Sequence, residues 1–270
     1  MRSRILAAVL ATLGMLATHA QAGIVGHTDA ASAPVTAANA ASAPPIELNP
    51  DSSDPALSVD DQAGTHALNE AARLIQSGRP QEAIEAHLDP LIARLDARYR
   101  DAKGQLFCAN TMTEVLLYLT QASVARREAT VTDGNLCNAY FLRGFAEIDL
   151  RKGKAALADY ERALALSPNN PHYLSEMGEL HSNMRDWNGA LGYFRRARDA
   201  AEAYSLGGKA KAEAGRALRG IGFVDVELGK LDEAEQMYRK CLEIDPGDEK
   251  ARGELGYVQG QRAKQIDLGK

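Results

Sequence analysis

Apolar and polar residues alternate at helical spacing through most of the chain beyond about Gly64. The stretch Gly229–Asp248, GKLDEAEQMYRKCLEIDPGD, reads as an amphipathic helix closed by Pro246 and Gly247. Upstream, ALNEAARLIQSGRPQEAIEAHL gives a helical pair broken at Gly78. Pro90 in HLDPLIARL predicts a kink or a helix restart, with Asp89 as a candidate cap. The stretch QLFCANTMTEVLLYLTQASVARREA predicts a further helix, because Leu106, Phe107, Val115, Leu116, Tyr118 and Leu119 can line one broad apolar side.

Two segments break this pattern. From Ile5 to about Ala17 the chain is an apolar run that follows Arg2 and Arg4 and leads into Ala20-Gln21-Ala22. This order of basic, apolar and small residues predicts a secretory signal peptide over residues 1–22, cleaved after about Ala22. The run is shorter than the roughly 20 residues a spanning helix needs, so no membrane span is expected once it is removed. Residues 23–63 are rich in Ala, Ser and Pro and contain no aromatic residue, which predicts a disordered linker.

The helical remainder repeats itself. Gly144, Ala156, Tyr160, Ala163 and Pro168 recur as Gly222, Ala234, Tyr238, Cys241 and Pro246, with identical spacings. A copy between them has Gly178, Ala190, Phe194 and Ala197, beginning 34 residues after the first, with Glu202 in place of the proline. The next step is 44 residues, so about ten extra residues sit near SLGGKAKAEA, Ser205–Ala214. Small residues let two antiparallel helices approach, the aromatic fills the space beside them, and proline stops the second helix. Each pair exposes an apolar face that only a neighbouring pair can cover.

This period and residue set resemble the tetratricopeptide repeat. The resemblance implies an all-α fold, a right-handed superhelix of antiparallel helix pairs (an α-solenoid). Repeats are expected at 137–170, 171–204 and 215–248, with an insertion at 205–214 and a capping helix at 249–270. Residues 64–136 would hold a degenerate repeat, marked by Ala71, Gly78 and Ala83, plus the atypical helix.

In this family the first helices line a groove that binds a protein or peptide segment. Carried onto this chain, that face includes Phe141, Phe145, His172, Glu179, Asn183, Arg216, Arg219 and Phe223. Phe141 and Phe145 lie four apart on one helix, either as an exposed apolar anchor or packed against the helix before them. Some relatives clamp a terminal carboxylate with Lys and Asn. Arg216, Arg219 and Lys250 supply charge here, but the asparagines are missing and Glu176 and Glu179 stand among them, so that clamp is not expected.

The charge balance adds little. The 31 basic and 36 acidic residues give −5; without Arg2 and Arg4 the count is 29 against 36, or −7. With no Lys/Arg run, nucleic acid is not an expected partner.

Candidate chemistry is sparse. The chain has three cysteines and no CxxC, so neither a zinc site nor a redox motif is indicated. Cys241 stands where sister copies have Ala163 and Ala197 and reads as a small core residue. Cys108 and Cys137 flank the atypical segment and are candidates for a disulfide, with separate burial as free thiols the alternative. His172, Glu176, Glu179 and His181 share one helix, but HExxH is absent and a solvated groove wall accounts for them. Gly220-x-Gly222 lacks the third glycine and the strand of a nucleotide-binding loop, and no GxSxG elbow occurs. Trp187 reads as a packing residue. No cofactor, metal or catalytic residue is indicated.

The expected function is therefore a non-enzymatic interaction module of an exported bacterial protein, periplasmic or secreted, acting as a scaffold of the cell envelope. The alternative is an enzyme accessory subunit or thiol-bearing protein that uses the 103–136 segment.

Overall fold

The computed structural model describes residues 59–205 and 207–268. The signal peptide expected over 1–22 and the linker up to residue 58 lie outside the described residues. Helix α1, Val59–Gln76, begins inside the stretch assigned to the linker, so that linker ends earlier than expected.

A turn at Gly78, with φ +79, leads from α1 into α2 (Pro80–Ala83), a π-helical turn (Ile84–Leu88) and α3 (Asp89–Arg98). Pro90 stands in the first turn of α3, where its missing N–H costs nothing, and the restart takes the form of that π-turn. Asp89 is not a cap. It pairs at 2.8 Å with Arg143, whose guanidinium also holds Asp159 at 2.6 Å and thereby ties three helices together.

The atypical segment is not one helix. It is a strand–helix–strand unit: β1 (Gln105–Cys108), α4 (Met112–Val124) and β2 (Ala129–Thr132), with the strands parallel and Gln105 opposite Ala129. Phe107 and Tyr118 stack in its core, with ring centroids 4.6 Å apart. The expected single apolar side is split accordingly. Phe107 and Tyr118 are buried, whereas Leu116 is 61 % exposed and Met112 71 %. Thr111 caps α4, its hydroxyl accepting the Glu114 N–H at 3.2 Å.

The repeats follow as α5 (Asn135–Asp149) with α6 (Gly153–Leu166), α7 (Pro171–Asn183) with α8 (Trp187–Tyr204), and α9 (Gly207–Glu227) with α10 (Leu231–Ile244). Helix α11, Glu249–Leu268, covers the last pair, burying Ala251 and Val258. The result is an α-solenoid. Its glycines are small for a measurable reason: a Cβ on Gly144, Gly178 or Gly222 would sit 2.7–2.8 Å from the Tyr160, Phe194 or Tyr238 ring. A Cβ on Gly220 would likewise fall 2.4 Å from the Phe194 ring, so both glycines of the GxG pair serve packing.

Proline decides helix length. Helices α6 and α10 stop two residues before Pro168 and Pro246, while α8, with Glu202 at that place, runs on to Tyr204. The ten extra residues mostly become helix as well, lengthening the start of α9. Cys241 is a core residue among Leu218 and Ala251, and burial pushes its thiol up to about 12. Trp187 packs against the edge of Phe223. No helix among the described residues is long and apolar enough to cross a membrane.

Candidate functional site

The first helices α5, α7 and α9 stand side by side, and their shared face carries the expected groove residues. Asn170 starts α7 by accepting the N–H groups of His172 and Tyr173 at 3.0 and 3.2 Å. That cap sets His172 at the seam between the first and middle repeats.

Phe141 is not an exposed anchor. It is buried between Tyr160, His172 and Tyr173, with ring centroids at 5.4, 5.0 and 4.7 Å. Phe145, one turn on, is only half-buried. Asn138 is also engaged: its amide donates to Asn110 at 2.9 Å and its carbonyl accepts from the Tyr173 hydroxyl.

The centre of the face is a charged cluster. Arg216 of α9 donates to Glu176 at 2.5 Å and Glu179 at 2.8 Å, and through its other nitrogen to His172 Nδ1 at 2.9 Å. Because Nδ1 accepts, the imidazole carries its proton on Nε2 and is neutral. The Glu213 carboxylate 3.7 Å away is then a neighbour rather than an ion-pair partner. Burial, with Arg216 and Lys209 nearby, holds the His172 pKa well below its ordinary value. Burial works against the Arg216 charge, but Glu176 and Glu179 outweigh it and raise its pKa. Burial raises the Glu179 pKa against the pull of Arg216, and raises that of Glu213.

Arg219 is likewise paired, with Asp248. Of the expected groove residues, Phe141 and Arg216 therefore hold neighbouring repeats together, and Arg219 ties α9 to the start of the capping helix through Asp248. Phe145, Glu179, Asn183 and Phe223 retain exposure on successive helices, with Glu179 at 37 % of its side chain and Asn183 in solvent. Glu213, Tyr173 and Asp248 were missed as site residues. The run Glu176/Glu179 opposite Arg216 in the aligned repeats is the signal that could have located the cluster.

Cys108 and Cys137 are brought together but unbonded, each a fully buried free thiol. Cys108 Sγ accepts the Cys137 backbone N–H at 3.1 Å, and Cys137 Sγ donates to the Gly134 carbonyl at 3.3 Å. Burial, then the Cys137 side chain, pushes the Cys108 thiol well up, so it is no nucleophile in the folded chain.

The paired helices, the glycine–aromatic contacts and the 34-residue step coincide with two matches to tetratricopeptide repeat family models, over residues 138–170 and 170–246. Residues 138–246 are tetratricopeptide repeats. No curated protein matches the chain. Among solved structures, Pseudomonas aeruginosa PilF aligns with 77 % of this chain and 72 % of its own, at 14 % identity and TM-score 0.55. The MamA RS-1 ArsTM double mutant aligns over 74 % and 85 % (15 % identity, TM-score 0.47). The first repeat domain of RPAP3, bound to an HSP90 peptide, aligns over 49 % and 97 % (20 % identity, TM-score 0.42). The likeness to PilF is one of fold alone.

Proposed function

We propose that the chain is a non-enzymatic interaction module that acts in the cell envelope after export and binds a protein segment along the face of α5, α7 and α9. One observation carries the reading. Phe145, Glu179 and Phe223, each partly exposed, and the exposed Asn183 lie on successive first helices, while Arg216, bonded to Glu176 and Glu179, joins α9 to α7. A mixed apolar and acidic strip on helices so joined lowers the ordering cost of binding. The strip suits a segment with apolar side chains around a basic one.

The test is site-specific photo-crosslinking in envelope extract. Probes at Phe145 and Asn183 should trap a protein that probes at Glu161 and Arg195, exposed on second helices, do not. Equal trapping from both sets sinks the groove. A second reading places the contact on the insert, favoured by the exposed Met112, Leu116 and Leu119 of α4. A probe at Leu116 that traps the partner while the groove probes do not would select it.

A further inference from the structure

We propose that Cys108 and Cys137 form a thiol–disulfide site that fastens the β1–α4–β2 insert to the first repeat helix, with a small-molecule or protein disulfide as its co-reactant. Cys108 ends β1 and Cys137 lies in the first turn of α5. The Cys108 sulfur already touches the backbone nitrogen of Cys137 at 3.1 Å, and one hydroxyl, that of Ser167, reaches both residues. A sulfur in contact with the other cysteine's own backbone puts the two residues at the close approach that a disulfide requires.

Ser167, at the end of α6, completes the junction. Its hydroxyl donates to the Cys108 carbonyl at 2.6 Å and lies 3.5 Å from the Cys137 sulfur. Three elements thus converge on one buried point. The loop that the bond would close, residues 109–136, holds α4 and β2 whole. A two-stranded parallel sheet is too small to hold itself, and a cross-link at its inner strand offsets that weakness by restricting the unfolded chain.

The exchange balances with oxidised glutathione. One cysteine thiolate attacks a glutathione sulfur, the S–S bond breaks, and one glutathione leaves as thiolate and takes up a proton. The second cysteine thiolate then attacks the protein sulfur of the mixed disulfide and expels the second glutathione. The two protein thiols lose two electrons and two protons, and the glutathione disulfide becomes two thiols. Both sulfurs are sealed in the folded chain, so the exchange belongs to folding or to local opening of the insert. Cys241 lies apart, among Leu218 and Ala251, and stays a thiol.

The test uses the full chain, reduced and unfolded, then refolded in a mixture of reduced and oxidised glutathione. It is finally denatured, alkylated and analysed by mass spectrometry. Expected is one alkylated cysteine, Cys241, with the Cys108 and Cys137 peptides joined, and three alkylated cysteines after reduction. Three alkylated cysteines without reductant, or a bond that includes Cys241, overturns the site. The oxidised form should unfold on the order of 10 °C above the reduced form. Cys108→Ser/Cys137→Ser should show no redox dependence. Equal unfolding temperatures of oxidised and reduced wild type overturn the fastening role.

Discussion

Arg216 on α9 reaches back to Glu176 on α7, and the pair is nearly sealed, with 12 % and 7 % of the side chains exposed. This contact joins two repeats across 40 residues of sequence. Buried ion pairs contribute little net stability when intact, because desolvation offsets attraction, but breaking one strands a charge. The cluster therefore acts on the angle between repeats more than on total stability.

Arg216→Met tests that directly. It leaves Glu176 and Glu179 facing each other without a cation, and loss of about 3–5 kcal/mol in denaturant unfolding is expected. Adding Glu176→Gln and Glu179→Gln should recover much of the loss, since neutral amides can share hydrogen bonds. Absence of recovery would locate the cost in lost packing instead.

The neutral His172 gives a pH dependence of definite sign. Its folded pKa is depressed by burial and by Arg216, so below the ordinary value near 6.5 the unfolded chain binds more protons than the folded one. Stability contributed by the neutral ring is thus complete above about pH 6.5 and falls as pH drops towards the folded pKa. The limiting slope for one proton is about 1.4 kcal/mol per pH unit. Glu179 and Glu213, with raised pKa values, oppose this near the carboxylate range. The comparison is therefore wild type against His172→Gln: melting curves between pH 7 and 5 should converge as pH falls, and parallel curves would contradict the assignment.

The turns between paired helices carry a correctable strain. Gly229, Arg185 and Arg151 occupy the same repeat position, and all have positive φ, at +72, +59 and +60. A non-glycine residue there costs roughly 1 kcal/mol. Arg151→Gly and Arg185→Gly should each raise stability by about 0.5–1 kcal/mol, and Gly229→Ala should lower it similarly, in chemical denaturation.

The repeat was legible because its signals are local and recur: a glycine under an aromatic and an alanine in all three copies, a proline at a fixed step in two. Gly144–Tyr160 and Gly178–Phe194 meet as those steps require. The insert was misread for a physical reason. β1 pairs with a strand 24 residues on, and four residues hold too few periods to separate strand from helix. The β-branched run Thr130-Val131-Thr132 was the available cue. Groove exposure was harder still, because it depends on neighbours. Phe141 and Phe145 occupy one helix face four residues apart, yet Phe141 is buried against the incoming Tyr173 and His172 of the next repeat while Phe145 is half-buried.

That difference makes the two phenylalanines separable. Phe141→Ala removes a ring packed against Tyr160, His172 and Tyr173 and should cost about 3–5 kcal/mol, with the partner lost only through unfolding. Phe145→Ala, at a half-buried position, should cost clearly less stability and lower the crosslinking yield from the Asn183 probe in a chain that remains folded. Denaturant titration alongside crosslinking reads both effects. Destabilisation by Phe145→Ala equal to that by Phe141→Ala would place Phe145 in the core and take it out of the binding strip. The strip would then reduce to Glu179, Asn183 and Phe223, which is too polar and too short to hold an apolar segment without contacts on α4.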